Sequence, residues 1–227
     1  MLGTAWRALR RFWAADHGLS LLLLLLLVRV FLLPVMAGLE LEGPVLKLAA
    51  DVVLSLLLVV GASAVSRRPL ARVAISVATV VALAGLWGNR QDPSLVPQGW
   101  QIASFLTATC LLTVMVLAQV FSSGRVTVSR ILGAVAAYLL LGLVWTGAYH
   151  LVELVQPGAF AGLRAADPQR LLYFSFVTLT TVGYGDVTAL HPAARSLAML
   201  EALVGQLYPA ILIARLVSLE VQSRGDS

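Results

Sequence analysis

The sequence is poor in charge, in lysine and in cysteine. Only 12% of the 227 residues are charged, and Lys47 and Cys110 are the only lysine and the only cysteine. A single cysteine excludes an intrachain disulfide, and the apolar residues around it suggest that it is packed. The low charge and the 59% hydrophobic content exclude a soluble domain of appreciable size and are typical of a membrane protein.

Patterns that carry catalysis or nucleic-acid binding are missing as well. The sequence has no metal-spaced His/Cys group, no glycine-rich phosphate loop and no nucleophile with a base, so we predict no enzyme and no cofactor. The formal net charge is +5, but the basic residues are dispersed at the ends of apolar segments. Because they do not form one basic face, we expect no nucleic-acid partner.

Six apolar segments are long enough to cross a bilayer as helices, which requires about 20 residues. They are residues 19–37, 44–65, 69–87, 102–121, 131–155 and 192–219. A shorter apolar segment, residues 171–182, cannot span and is predicted to be a re-entrant helix. The expected fold is therefore all-α, with six transmembrane helices and one re-entrant helix followed by a loop.

These segments divide the chain into four predicted parts. The parts are an N-terminal amphipathic interfacial helix (1–17), a four-helix transmembrane domain (18–124), a domain with the re-entrant helix and the last two spans (125–220), and a short cytoplasmic tail (221–227). With so short a tail, we expect no cytoplasmic ligand-binding domain, and any gate would lie within the membrane.

The N-terminal region allows two interpretations. Trp6, Leu9 and Trp13 recur at helical spacing with arginines between them, which favours an interfacial helix before the first span. The alternative is a signal peptide with cleavage after Ala37. We favour a retained span because Arg29 interrupts the hydrophobic core and the apolar run continues beyond it.

Arginines mark alternate loops and indicate the orientation of the spans. They precede the first span, join the second to the third, and join the fourth to the fifth; the residues are Arg7, Arg10, Arg11, Arg67, Arg68, Arg72, Arg125 and Arg130. Cytoplasmic loops carry an excess of arginine and lysine, so both termini are expected in the cytoplasm. The excess of arginine over lysine hints at a GC-rich bacterial genome, and hence at a bacterial inner membrane.

Residues 180–186 read TTVGYGD and lie between the re-entrant helix and the last span. Glycine reaches left-handed backbone angles at no steric cost, so Gly183 and Gly185 allow successive carbonyl oxygens to turn inward. A narrow loop with inward carbonyls can replace the water shell of a dehydrated K⁺ ion. A simple Gly-Tyr-Gly turn is the alternative, and the seven residues in this order between apolar helices argue against it.

This motif resembles the selectivity filter of the potassium channel family, in which TVGYG is the known filter sequence. The resemblance implies K⁺ binding by Thr181, Val182, Gly183, Tyr184 and Gly185, with the metal sites at the first four. The region from about residue 131 to 219 resembles that family's outer helix, pore helix, filter and inner helix. The first four spans resemble the six-transmembrane, voltage-gated-like members only in number.

Residues around the motif correspond to the supports of that filter. Thr180 precedes it and Asp186 would lie at the outer mouth, while Tyr173 and Phe174 occupy the places of an aromatic cuff that is usually two tryptophans. The Tyr173 hydroxyl would reach Asp186; plain aromatic packing is the alternative. Val177 stands where some bacterial members have a buried glutamate behind the filter, so that carboxylate is missing.

The last span carries candidate gating residues. Arg195 and Gly205 match, by their mutual spacing, the inner-helix arginine and the hinge glycine of simple bacterial potassium channels. We predict a hinge at Gly205 and a second kink site at Pro209, because glycine and proline weaken a helix. The alternative for Gly205 is close helix packing, a common use of glycine in membrane helices.

Ionisable residues inside the spans are few. Residues 102–121 contain no arginine or lysine, so the fourth span lacks a conventional voltage sensor. Arg29 and Asp51 are expected at similar depth in antiparallel helices and are predicted to pair; otherwise Arg29 snorkels alone. Glu201 faces either the pore cavity or the pore helix, and Gln206 has the same two options.

The expected function is passive, selective conduction of K⁺ across the plasma membrane. Because the chain supplies one filter loop and the family's filter needs four, we expect a homotetramer. Its partners would be further copies of itself, membrane lipids and K⁺ ions. The alternatives are a non-conducting modulatory or scaffold subunit and a poorly selective cation channel.

Overall fold

The computed structural model describes residues 17–38, 44–65, 69–91, 96–122, 127–163 and 168–225. Within these ranges the chain is almost entirely helical. The elements are α1 (His17–Leu27), a π-helical segment (Val28–Leu32), α2 (Leu33–Gly38), α3 (Pro44–Val65), α4 (Pro69–Gln91), α5 (Gln98–Val120), α6 (Val128–Val155), β1 (Phe160–Ala161), α7 (Pro168–Leu179), β2 (Thr188–Ala189) and α8 (Pro192–Gly225).

Six helical stretches are long and apolar enough to cross a membrane, as the sequence predicts. They are Gly18–Met36, Val45–Ser63, Leu70–Gln91, Gln98–Val120, Val128–Val155 and Pro192–Leu219. Within the described ranges the fold departs from all-α only in the two-residue strands β1 and β2, which pair antiparallel. The predicted interfacial helix at residues 1–17 lies outside the described residues except for His17.

The short helix α7 starts at Pro168, as the Asp167-Pro168 pair in the sequence predicts, and ends at Leu179. The apolar segment 171–182 that was predicted to be re-entrant therefore leaves the helix three residues before its end. Proline suits the first turn of a helix, where an amide hydrogen has no partner, and Thr181 has a positive φ that cannot continue an α-helix. At the C-terminus, α8 continues through residues 221–225 of the expected short tail and ends at Gly225.

The first four spans form a bundle that packs against α6. Helix α3 packs against α1, α4 and α5, and α1 and α5 also pack against α6. The shared core is mainly aliphatic, and the side chains in it that have no exposed surface include Leu22, Leu26, Leu57, Leu112 and Leu140. Cys110 on α5 is exposed, so the expectation that it is packed inside the chain is wrong.

Helix α6 links this bundle to the C-terminal region. Thr127 caps its N-terminus, because the Thr127 hydroxyl accepts a hydrogen bond from the backbone N–H of Arg130. The helix packs against both α7 and α8. In its membrane-length stretch 56% of the residues are buried, against 17% for α8. The last helix therefore presents most of its apolar surface outward.

Candidate functional site

The loop after α7 has the alternating backbone that the TTVGYGD motif predicts. Gly183 and Gly185 have φ values of 62° and 80°, in the left-handed region, and Val182 and Tyr184 do not. Thr181 also has a positive φ, of 59°. The sequence pattern does not predict this angle, because threonine rarely adopts a positive φ. Positive φ thus recurs at every second residue from Thr181 to Gly185.

The start of this loop is fixed to the end of α7. The backbone N–H groups of Val182 and Gly183 donate to the carbonyl oxygen of Val177, at 3.0 and 3.4 Å. The Thr180 hydroxyl donates to the carbonyl oxygen of Phe176 at 2.6 Å. These bonds satisfy carbonyls that the helix leaves unpaired at its C-terminus and hold the loop in one orientation.

The far end of the loop is held by an aromatic residue of α7. The Tyr173 hydroxyl donates to the Asp186 carboxylate at 3.1 Å, as the sequence suggested. The rings of Tyr173 and Tyr184 are nearly parallel, with centroids 6.4 Å apart. Desolvation, the hydrogen bond to Asp186 and the charge of that carboxylate raise the pKa of Tyr173. The hydroxyl therefore remains protonated and can donate at neutral pH.

Phe174, the second residue at the aromatic positions, has a different environment. It is buried and packs edge-on against Tyr149 of α6 and Phe160 of β1, with ring centroids 5.0 and 5.3 Å apart. Plain aromatic packing, the alternative interpretation, therefore describes Phe174, whereas Tyr173 contacts the loop itself.

The segment after the loop is tied to the connection that precedes α7. Strand β2 pairs with β1, so Ala189 lies opposite Phe160. Gly162 has a φ of 81°, and a side chain there would overlap the carbonyl of Asp186. The Arg170 guanidinium donates to the carbonyl oxygen of Gly162. Arg195 donates from Nε to the carbonyl oxygen of Ala189, at 3.1 Å.

Glu201 lies behind α7 and makes a hydrogen-bonded cluster with two other side chains. Glu201, Ser175 of α7 and Tyr149 of α6 have no exposed surface. The Tyr149 hydroxyl donates to Glu201 Oε2. Ser175 Oγ is 2.6 Å from Glu201 Oε1 and 2.8 Å from the carbonyl oxygen of Gly142, and its one hydrogen can serve either acceptor. Of the two options from the sequence, Glu201 faces the short helix.

Gly205 lies one turn further along α8, where that helix crosses the end of α7. A Cβ atom at this position would overlap the carbonyl oxygen of Leu179 and would lie 3.1 Å from its Cα. The same carbonyl oxygen accepts a hydrogen bond from the Tyr138 hydroxyl at 3.2 Å. Close packing is thus a sufficient reason for glycine here. Pro209 lies inside the continuous helix α8.

Gln206 approaches the start of the loop. Its Nε2 lies 3.4 Å from the Thr181 hydroxyl oxygen, a long hydrogen bond. The residues that sequence reasoning missed are mainly the hydroxyl-bearing side chains Tyr138, Tyr149 and Ser175. An isolated hydroxyl in an apolar helix was the available signal, because such a group needs a partner when it is buried.

The predicted ion pair between Arg29 and Asp51 is not present. Asp51, in the first half of α3, instead forms an ion pair with Arg90, which lies near the C-terminal end of α4. Within the described residues Arg29 forms no ion pair, and it lines a cavity between the four-helix bundle and α6. The prediction rested only on the expected depth of Arg29 and Asp51 in the membrane. That depth does not show that the end of α4 places Arg90 beside Asp51.

One family model matches part of the C-terminal half of the chain. Residues 137–222 match the family model described as Ion channel. Protein LctB of Geobacillus stearothermophilus is 41% identical over 68 residues, which are 30% of this chain and 50% of that protein. Protein LctB of Bacillus caldotenax is 40% identical over 68 residues, with the same two shares. The chain thus spans about half the length of these two relatives.

A plant protein is also similar. Two pore potassium channel c of Oryza sativa subsp. japonica is 36% identical over 86 residues, which are 36% of this chain and 17% of that protein. No solved structure gives a significant match. The family match supports an ion channel domain that runs from within α6 through most of α8, and the plant relative supports the potassium channel type. The first four spans lie outside the matched region.

The loop of the ion channel domain is open on one side in the single chain. Val182 is 52% exposed and Tyr184 is 72% exposed. A cavity of about 450 Å³ separates the loop from α8 and is lined by residues such as Val177, Gly183 and Met199. No group of three or more metal-ligating side chains occurs in the described ranges.

Proposed function

We propose that four copies of this chain form a potassium-selective channel that conducts K⁺ passively across the plasma membrane. The observation that carries the proposal is the alternation of positive φ at Thr181, Gly183 and Gly185. Alternate left-handed residues turn successive carbonyl oxygens to the same side, which suits an ion that must exchange its water shell for oxygen ligands. K⁺ would bind at Thr181, Val182, Gly183 and Tyr184, and Gly185 would complete the filter.

The homotetramer is proposed because one loop supplies only one side of such a site. A closed ring of identical loops requires rotational symmetry, and the family's filter has four. The exposed apolar side chains of α8 support this assembly. They include Met199, Leu200, Leu203, Leu207 and Ile211. Such a surface needs lipid or another subunit to cover it.

The remaining assignments follow from this proposal. Helix α7 would be the pore helix, with Thr180, Tyr173, Phe174 and Asp186 as supports of the filter and its outer mouth. Both termini would be cytoplasmic in a bacterial inner membrane, as the arginine distribution favours. Gly205 would allow α8 to pack closely against the end of α7 and would also be the gating hinge at which α8 bends.

Reversal potentials in planar bilayers test the proposal. The purified protein is measured under opposed K⁺ and Na⁺ gradients, and we expect a value near the K⁺ equilibrium potential. Gly183→Ala is the test variant, since its side chain would force a strained backbone in the filter. Gly158→Ala is the matched control, because Gly158 also has a positive φ, of 85°, with no atom within 4 Å of an added Cβ, but lies outside the filter.

Each outcome has a separate meaning. Selectivity that is lost in Gly183→Ala and kept in Gly158→Ala supports the proposal. A reversal potential near zero in the unmodified protein indicates a poorly selective cation channel and contradicts the filter assignment. Silence at all voltages in a correctly assembled tetramer favours the non-conducting modulatory subunit.

A further inference from the structure

Arg29 lies in an unusual piece of helix. Residues Val28–Leu32 form a π-helical segment between α1 and α2. Such segments are rare and are often found at functional sites, because the wider turn changes the direction of the side chains. Arg29 is also one of the few ionisable residues inside a span. An intramembrane charge of this kind is costly unless it has a partner or a function.

The charges around Arg29 do not balance. Asp51 attracts Arg29 electrostatically, but its carboxylate is ion-paired with Arg90. Arg29 has no hydrogen bond or ion pair within the described part of the chain. Arg29, Arg90 and Asp51 together carry one positive charge in excess. A bound group with one negative charge would neutralise this excess, whereas a neutral group would not.

The cavity that Arg29 lines supplies further polar groups and an apolar wall. Its volume is about 170 Å³, and Gln101 and His150 also line it. His150 Nε2 is buried and has no hydrogen-bond partner among the described residues. The other lining residues are mostly aliphatic or aromatic, including Leu54, Leu86 and Phe105. A ligand would therefore meet a cationic and polar end next to hydrocarbon.

We propose that this cavity binds the headgroup of an anionic phospholipid such as phosphatidylglycerol. The phosphate would accept hydrogen bonds from the Arg29 guanidinium, which matches phosphate geometry well. A headgroup also carries the donors and acceptors that the unpartnered His150 Nε2 and Gln101 require. One water molecule occupies about 30 Å³ in the liquid, so a cavity of about 170 Å³ is too small for acyl chains. The acyl chains therefore lie outside it. Exposed apolar side chains such as Phe31 provide a surface for them.

The position of the cavity links the four-helix bundle to the ion channel domain. Besides residues of α3, α4 and α5, its wall contains Leu143 and His150 of α6 and Leu172 of α7. Leu172 is the neighbour of Tyr173, which bonds to Asp186 at the end of the loop. A lipid in this place would therefore connect the bundle to the helix that supports the loop. The binding claim itself does not depend on conduction.

Native mass spectrometry of the detergent-solubilised protein tests the proposal with phosphatidylglycerol as the probe. We expect Arg29→Gln to weaken binding about tenfold or more, the effect of losing a charge-assisted hydrogen bond. Lys47→Gln is the matched control, because it removes one exposed positive charge from the same end of the bundle, outside the cavity. His150→Leu should reduce binding by a smaller factor, and Arg29→Lys should retain part of it.

Thermal unfolding provides a second readout that does not require the variants to be equally stable. Added phosphatidylglycerol should raise the Tm of the unmodified protein and of Lys47→Gln, because a ligand stabilises the state that binds it. The rise should be absent in Arg29→Gln. Equal binding and equal Tm shifts in Arg29→Gln and Lys47→Gln would overturn the proposal.

Binding of other ligands distinguishes an anionic phospholipid from a neutral phospholipid, a fatty acid and a free anion. Phosphatidylcholine, which has no net charge, should bind more weakly than phosphatidylglycerol. Equal binding of the two would overturn the charge argument. Binding of palmitate or inorganic phosphate that equals or exceeds that of phosphatidylglycerol would also contradict the proposal, since the cavity would then select a fatty acid or a free anion.

Discussion

Glu201 and Arg29 are both ionisable residues inside apolar helices, but their surroundings differ. Glu201 has no exposed surface and is hydrogen-bonded by Tyr149 and is within 2.6 Å of Ser175. Arg29 is half-buried, faces a cavity and has no ion pair within the described ranges. A buried polar group is stabilised by partners in its own chain, or it requires a partner from outside. The first arrangement stabilises the region behind the loop at residues 180–186, and the second leaves a site for a ligand.

The largest effect is expected from Glu201→Ala. This change leaves the Ser175 and Tyr149 hydroxyls without their common partner and opens a cavity between α6, α7 and α8. We expect a loss of about 3–5 kcal/mol in the free energy of unfolding. Titration with sodium dodecyl sulfate in mixed micelles, followed by circular dichroism, measures it.

Glu201→Gln is the matched control for this change. The amide has nearly the same shape, can accept from Tyr149 and can donate to Ser175 Oγ, which then donates to the carbonyl oxygen of Gly142. We therefore expect a loss of about 1 kcal/mol or less. If the alanine and glutamine variants are equally stable, the hydrogen bonds of Glu201 do not stabilise this region.

Gly205→Ala should have the next largest effect. The added methyl group would overlap the Leu179 carbonyl, so α7 and α8 would have to separate. Overpacking of this kind costs about 1–3 kcal/mol. The Tm of the purified protein measures it, and Gly85→Ala on α4 is the control, because an added Cβ there would meet no atom closer than 3.4 Å. An unchanged Tm with an altered open probability would favour the hinge over the packing interpretation.

The contribution of the two hydroxyls can be separated by a double-mutant cycle. Tyr149→Phe removes the hydrogen bond to Glu201 Oε2, and Ser175→Ala removes the hydroxyl that lies 2.6 Å from Glu201 Oε1. Each change should cost about 1–2 kcal/mol. Because both act on one carboxylate, we expect a coupling energy of about 0.5 kcal/mol or more in the double variant. Strictly additive losses would mean that the two hydroxyls act independently of Glu201.

The contrast between Glu201 and Arg29 also shows which features of this structure can be predicted from the sequence. The six apolar spans and the glycines of the loop follow from local patterns, because length, hydropathy and conformational freedom are properties of short segments. The partners of Glu201 and Asp51 do not. Glu201 meets residues that are 26 and 52 positions away, and Asp51 meets Arg90, 39 positions away. Such contacts depend on the rotation and tilt of whole helices, which local patterns leave undetermined.

The loop itself shows the same limit at one residue. Gly183 and Gly185 were predicted to adopt left-handed angles, whereas the positive φ of Thr181 was not. Threonine has no intrinsic preference for that region. Its conformation is imposed by its neighbours, since the amides of Val182 and Gly183 both point back to Val177. The strain at Thr181 is thus a property of the assembled loop and not of the residue type.

The smallest effect on stability is expected from Arg29→Leu in detergent without anionic lipid. Removing a half-buried charge that has no ion pair among the described residues also removes its desolvation cost, so the free energy of unfolding should change by no more than about 0.5 kcal/mol. Asp51→Asn is the contrasting variant, because it leaves Arg90 without its carboxylate and should cost about 1 kcal/mol. Both are measured by the same titration as the Glu201 variants. A large loss in Arg29→Leu would mean that Arg29 stabilises the chain through its own contacts, and the difference between the two ionisable residues would then disappear.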